Sequence, residues 1–192
     1  YLYNRGVRII NFEDDNLFYN RAHSLELFEL LSYYHNKGVS YTAMNGITAV
    51  NLRPVVQKAI AAGFIEFNLS LVSSSKNVVS SLNRPLFFEA IEEIARASVG
   101  IVEVLVFVIL GLPQDSPVEV VKSMKLLMDL SVKVGVSPLY LLPDIEMFQQ
   151  LGLPEDDRLL RGSALYKFGE KFSREDIVSI WKYARMYNAL LE

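Results

Sequence analysis

The sequence predicts an α/β protein with about five parallel strands in one sheet and helices on its outer face. Short apolar runs rich in Val and Ile recur about every thirty residues, and an amphipathic helical pattern separates each run from the next. The clearest run, 104–110, stops at a Gly-Leu-Pro turn and passes into a helix start. This rhythm fits either an open doubly wound sheet or a β/α barrel, and five strands are too few to close a standard barrel of eight.

In the first half of the chain, strand and helix patterns alternate. The apolar residues of the first helix repeat with helical spacing, and Gly38 supplies its stop. In the second helix, Pro54 is tolerable in the first turn and Gly63 provides the C-cap. The acidic and polar residues 13–16 end the first strand, as an Asx turn or as a site. We expect strands at 7–12, 39–44 and 64–72, and helices at 24–34 and 52–60.

The second half continues the same alternation. Pro85 opens a third helix. The strand at 104–110 leads to Ser116 as N-cap and Pro117 at the first helical position, with Glu119 completing a capping box. Gly135 is expected to end the connection to a fifth strand at 136–142. Ser173 caps a last helix with Asp176 at the capping-box position, and its apolar face comprises Ile177, Ile180, Trp181, Ala184 and Leu191.

Composition restricts the classes of function. The formal net charge is −3, without the Lys/Arg cluster that tracks nucleic-acid phosphates. No apolar run reaches membrane-spanning length and no signal peptide is visible, so we expect a cytoplasmic protein that binds neither nucleic acid nor membrane. The chain contains no cysteine, which excludes disulfides and thiolate ligands within these 192 residues. We expect a single domain over 1–192, with 144–192 as a helical C-terminal extension.

Several residues and motifs are candidates for a local binding site. Gly111 marks a tight turn after a buried strand, and the turn alone accounts for a glycine there. Neither a P-loop nor a G-x-G-x-x-G motif occurs. The two histidines, His23 and His35, do not pair at a ligand spacing. Asp14 and Asp15 could bind a divalent cation through hard oxygen ligands.

Five segments in order resemble the radical S-adenosylmethionine superfamily, in particular its cobalamin-domain-associated branch. They are IINFEDDNLF, YTAMNGI, AGFIEFNLSLVSSS, VFVILGLPQDSPVEV and VSPLYLLP. They are similar to the second to sixth barrel strands of that family and cover nearly all of residues 7–143. The resemblance implies a partial β/α barrel that holds S-adenosylmethionine across the carboxyl ends of its strands.

The resemblance also assigns site residues. Ile109 and Gly111 match the element that lines the adenine, and Ser73 matches a polar residue near the ribose and methionine groups. The sixth-strand backbone beside the adenine corresponds to Tyr140, Leu141 and Leu142. The strand-end residues that face the substrate correspond to Asp15, Asn16 and Asn45.

Departures from the family pattern change what the resemblance implies. Val72 stands where relatives commonly have Glu, and Gln114 and Asp115 replace Gly-Glu. The Cys-x-x-x-Cys-x-x-Cys loop that holds a 4Fe-4S cluster has no counterpart. The resemblance therefore implies a fragment that is inactive alone, with no catalytic or metal-binding residue and no cofactor of its own. Its parent would use S-adenosylmethionine, the 4Fe-4S cluster and, in this branch, cobalamin. The parent's substrate, a small molecule or a peptide, cannot be read from the sequence.

Two other functions stay open at the level of sequence. One is a divalent-cation-dependent β/α enzyme that uses Asp14 and Asp15, and the other is a non-catalytic scaffold domain. The strand at 7–12 should be an open edge, and unpaired strand edges recruit other chains. We therefore expect self-association through this edge.

Overall fold

The computed structural model describes residues 1–14, 16–82, 87–112, 114–139 and 171–191 of the 192-residue chain. Five parallel strands form one sheet in the order of the chain, from β1 to β5. The predicted fold class, parallel α/β with helices between successive strands, is confirmed. The strands are β1 (Ile9–Phe12), β2 (Ser40–Ile47), β3 (Phe64–Val72), β4 (Glu103–Leu110) and β5 (Lys133–Pro138).

Helices connect successive strands and close the described part of the chain. Short 3-10 turns lie at Tyr3–Arg5 and Arg53–Val55. Among the described helices, none has the length and apolarity that a membrane span requires. The α-helices are α1 (Arg21–His35), α2 (Ala49–Leu52), α3 (Val56–Ala61), α4 (Lys76–Ser81), α5 (Phe88–Ser98), α6 (Pro117–Met128) and α7 (Arg174–Asn188).

The main core lies between these helices and one face of the sheet. Alternate residues of β4 are buried in it, because successive side chains of a strand point to opposite faces. Apolar residues of the helices complete the same cluster, including α7, which was predicted as an extension and packs into the core through Ile177, Ile180 and Ala184. The strand residues that it buries include Phe67, Leu69, Val104, Val106, Val108 and Leu110.

The helix caps follow the sequence signals in part. Ser173 and Asp176 form the complete reciprocal capping box at the start of α7. At the start of α6, the Ser116 side chain accepts a hydrogen bond from the Glu119 backbone N–H at 3.3 Å. The Glu119 carboxylate contacts Lys122 Nζ at 2.5 Å instead of the Ser116 backbone N–H. Of the predicted capping box, only the hydrogen bond to the Ser116 side chain therefore forms.

Several predicted elements differ from those observed. Gly135 lies inside β5 rather than before it, because β5 begins at Lys133 and pairs with β4 from there. Pro54, which lacks a backbone N–H, splits the predicted second helix into α2 and α3 around a 3-10 turn. Trp181 and Leu191, predicted on the buried face of the last helix, are 44% and 40% exposed. The predicted helix start at Pro85 lies outside the described residues.

Candidate functional site

The carboxyl end of β3 finishes in a strained turn. Val72 has a φ of +70°, and the Ser73 backbone N–H donates to Leu71 O at 3.0 Å across it, which defines a γ-turn. A positive φ is rare for a β-branched residue, and such strain costs about 1–3 kcal/mol. The chain therefore leaves the sheet abruptly here and enters the serine loop, which we define as Ser73–Ser75.

The carboxyl end of β4 lies beside this turn. Val108 is the strand partner of Val72, after a register shift in β3. Gly111 follows β4 with a φ of +96°, a conformation that residues with a Cβ rarely adopt. The Asp115 backbone N–H donates to Leu112 O at 3.0 Å and closes the turn that leads to α6. Gly111 is therefore favoured by the backbone conformation at this position.

A small apolar cluster, separate from the main core, covers these two strand ends. We call it the mouth cluster: Val72, Val78, Leu112, with the partly buried Leu82, Ile109 and Leu139. Ile109 lies on the face of β4 opposite the main core, since its neighbour Leu110 belongs to that core. α4, which the sequence did not predict, brings Val78 into this cluster. The partly buried Leu82, Ile109 and Leu139 are the members of the mouth cluster that remain in part accessible.

The serine loop is fixed to α6. The Ser74 backbone N–H donates to Ser123 Oγ at 2.9 Å, and the two hydroxyl oxygens lie 2.8 Å apart. Ser123 Oγ in turn donates to Glu119 O at 3.0 Å. Ser73 is 1% exposed, and its Oγ accepts a hydrogen bond from the Ser75 backbone N–H at 3.2 Å. Ser74 and Ser75 are only partly buried, so they are the part of the loop that a ligand can reach.

Asp115 is the residue that our sequence reasoning missed at this site. It is 0% exposed, and burial raises the pKa of its carboxyl above the ordinary value. The Ser116 backbone N–H, which donates to Asp115 Oδ1 at 2.8 Å, opposes this rise. Oδ2 has no hydrogen-bond partner among the described residues. The signal was present in the sequence, where an acidic residue stands directly before a Ser-Pro helix start.

Polar side chains also meet at the carboxyl ends of β1 and β2. Asn11 Oδ1 accepts hydrogen bonds from Thr42 Oγ1 at 3.0 Å and from the Met44 backbone N–H at 3.1 Å. Asn45 Nδ2 donates to the backbone oxygen of Glu13. These bonds bring Asn45, predicted on the substrate side, into a network that ties the two strand ends together.

The remaining predicted residues divide into two groups. Asn16 accepts a hydrogen bond from Asn51 Nδ2 at 3.1 Å, which ties it to α2. Asp15 and the three residues Tyr140, Leu141 and Leu142 lie outside the described residues. The described range 114–139 ends at Leu139, directly after β5. The Leu139 backbone N–H donates to Leu110 O at 2.9 Å.

The structure gives the cation-dependent alternative no support. Within the described ranges, no group of three or more His, Cys, Asp or Glu side chains could hold a metal ion. Asp14 is exposed, and Asp15 lies outside the described part of the chain.

A cavity of about 250 Å³ lies at the amino-terminal ends of β4 and β5. Its lining includes Ser98, Glu103 and Lys133, and the last two form an ion pair at 2.7 Å. In α/β folds ligands bind outside the carboxyl ends of the strands, so we place the candidate site at the mouth cluster instead.

Comparisons with known proteins give likenesses of structure. No family model matches the chain, and no curated protein matches its sequence. It is similar to the radical S-adenosylmethionine methyltransferase TsrM from Kitasatospora setae, solved with cobalamin and a [4Fe-4S] cluster bound, with a TM-score of 0.66 and 16% identity. It is also similar to the radical SAM enzyme HemN, coproporphyrinogen III oxidase from Escherichia coli, with a TM-score of 0.57 and 18% identity.

The extent of these matches is unequal for the two partners. The TsrM match covers 92% of this chain and 38% of that one, and the HemN match covers 88% and 37%. A second TsrM structure, with tryptophan substrate and the SAM analog aza-SAM bound, matches at the same TM-score and identity. The chain therefore spans well under half the length of these enzymes and shares the α/β fold of their matched part.

Proposed function

We propose that the chain is part of a radical S-adenosylmethionine enzyme and supplies the part of its barrel that binds S-adenosylmethionine and substrate. The likeness of fold to TsrM over 92% of the chain carries this proposal. The order of the five motifs in the sequence also supports it. That each match covers less than two-fifths of the other enzyme supports a longer parent protein.

The residues at the mouth fit S-adenosylmethionine by their chemistry. In this proposal the adenine lies against Ile109 and the Gly111 backbone, where the mouth cluster offers apolar contact. The partly buried Ser74 and Ser75 of the serine loop offer hydroxyl groups to the ribose and methionine parts. When bound, S-adenosylmethionine supplies the adenosyl group that such enzymes use to abstract hydrogen from substrate. This chain's own residues bind and orient it.

Other parts of the proposal concern the substrate and the rest of the adenine site. Asn45 and Asn16 face the substrate beside the hydrogen-bonded ends of β1 and β2. Asp15 is assigned to the same side, and the backbone of 140–142 to the adenine.

The iron-sulfur cluster does not fit the residues present. Such clusters are held by cysteine thiolates, and the 192 residues contain no cysteine. No step through a cluster can therefore be derived for this chain. We propose that the cluster ligands, and any cobalamin site, belong to other segments of the parent protein.

The proposal is tested by calorimetric titration of the full-length parent protein with S-adenosylmethionine, because the fragment alone is not expected to hold the cofactor. Gly111→Ala should weaken binding about tenfold or more, because it strains the turn and places a methyl group beside the adenine. Gly100→Ala is the matched control: Gly100 also has a positive φ, +71°, but lies before the amino-terminal end of β4, away from the mouth cluster. Equal affinities of the two parent variants, or no binding by the unmodified parent protein, would contradict the proposal.

A further inference from the structure

The carboxyl of Asp115 is buried at the junction of three elements of the site. It follows the Gly111 turn, directly precedes α6, and lies beside Ser73 at the end of β3. Oδ1 accepts the Ser116 backbone N–H, whereas Oδ2 has no partner in the described ranges. A buried carboxylate oxygen without a hydrogen bond is costly, so a donor that could reach it is informative.

The groups around Asp115 identify that donor. Besides the Ser116 N–H, the nearby Ser73 hydroxyl and the charge of Lys171 favour the ionised carboxylate, whereas Glu119 on α6 disfavours it. Oδ2 itself forms no hydrogen bond with Ser73 or with another described residue. Ser73 Oγ already accepts from the Ser75 backbone N–H, so its own proton is free to turn elsewhere. A hydroxyl that accepts on one side and donates on the other can link the two groups.

We propose that ionised Asp115 is a positioning residue, which accepts a hydrogen bond from the Ser73 hydroxyl and thereby holds the serine loop in its binding conformation. The order of donors is then Ser75 N–H to Ser73 Oγ, and Ser73 O–H to Asp115 Oδ2. Neither Asp115 nor Ser73 can touch a ligand directly, since they are 0% and 1% exposed. They act through Ser74 and Ser75, which are only partly buried.

This arrangement predicts that the hydrogen bond between Ser73 and residue 115 reverses its direction when the negative charge of Asp115 is removed. In Asp115→Asn, an amide N–H would point at Ser73 Oγ, and the Ser73 proton would lose its acceptor. Protonation of Asp115 at low pH has the same effect. Both changes should loosen the bond from Ser75 N–H to Ser73 Oγ, because the hydroxyl is no longer oriented to accept it.

The inference rests on the proposed function for its ligand, and two measurements separate the two claims. The first is the calorimetric affinity of the parent protein, with and without the substitution in this chain, for S-adenosylmethionine, adenosine and adenine between pH 3 and 8. Asp115→Asn should weaken binding of the first two about three- to tenfold, the effect of losing one hydrogen bond. Adenine, which lacks the ribose, should change less than twofold. Lowering the pH should weaken ribose binding to the unmodified chain and not to the variant.

The second measurement is amide hydrogen exchange at Ser75, which needs no ligand. Exchange should accelerate in Asp115→Asn and in Ser73→Ala, the latter serving if the first variant does not fold. Asp129→Asn, the same substitution at the exposed end of α6, is the matched control and should leave exchange and affinity unchanged. Unchanged Ser75 exchange in both test variants overturns the positioning role. Absence of binding by the unmodified parent protein, with accelerated exchange in the variants, overturns the proposed function and supports the positioning role.

Discussion

The Phe107 ring occupies the space in which a side chain at Gly135 would lie. A Cβ built on Gly135 would be 2.4 Å from Phe107 Cδ1, and the two residues are partners across β4 and β5. A glycine inside a strand often marks such a close approach. Gly135 therefore serves packing on the sheet rather than a turn.

We expect Gly135→Ala to lower the free energy of unfolding by about 1–3 kcal/mol, the usual cost of overpacking. In the double variant with Phe107→Leu, the penalty of Gly135→Ala should shrink, because the smaller side chain vacates the space. Urea unfolding of the four members of this cycle measures the coupling. Strictly additive effects would show that the ring does not cause the penalty.

Phe64 lies at the centre of the aromatic part of the core. It is 2% exposed, and its ring centroid lies 5.6–6.0 Å from those of Phe18, Phe28 and other rings. Phe64→Ala should cost about 3–5 kcal/mol by chemical denaturation. Tyr19→Ala, at a ring that is 79% exposed, is the control and should cost less than about 0.5 kcal/mol.

The pH dependence of stability should report on Asp115. Burial raises the pKa of its carboxyl, so the folded state holds this proton to higher pH than the unfolded chain does. The contribution of this carboxyl to stability is complete at pH values below its pKa in the unfolded chain. It is lost as the pH rises through its higher pKa in the folded protein. Asp115→Asn should therefore gain stability relative to the unmodified chain as the pH is raised. Thermal melting between pH 3 and 8 tests this, and a constant difference would contradict it.

The edge of β1 should mediate self-association, as the sequence predicted. β1 pairs with β2 on one side, and Ile9 on this strand is 61% exposed. Ile9→Lys should reduce the associated fraction, because charged residues on an edge strand oppose pairing with another chain. Ile101→Lys, at a site that is 66% exposed but outside the strands, is the control. Light scattering at high concentration measures both, and a strictly monomeric unmodified chain would contradict the prediction.

The sequence predicted the sheet well because its signals are local and strong. The run ending at Leu110 is apolar enough to identify a buried parallel strand, and Ser173 and Asp176 identify a helix start. The order of strands followed from the short connections, since successive βα units pair with their neighbours.

What the sequence did not reveal depends on contacts between distant residues. Gly135 looked like a turn because only the folded sheet places Phe107 against it. The sequence marked Asp115 only as a departure from the family's Gly-Glu, since its burial depends on how the start of α6 packs beside the end of β3. Trp181 fits the helical spacing of buried residues, yet it is 44% exposed with the Arg185 guanidinium 4.8 Å from its ring centroid.

The hydrogen bonds between Ser74 and Ser123 join residues 49 positions apart in the chain. Closing a loop of that length costs conformational entropy before any contact repays it. The bonds can form only once α5, β4 and α6 have packed onto β3. We therefore expect the serine loop to acquire its final conformation late in folding, so that compact intermediates with an intact sheet would still lack a formed ligand-binding edge.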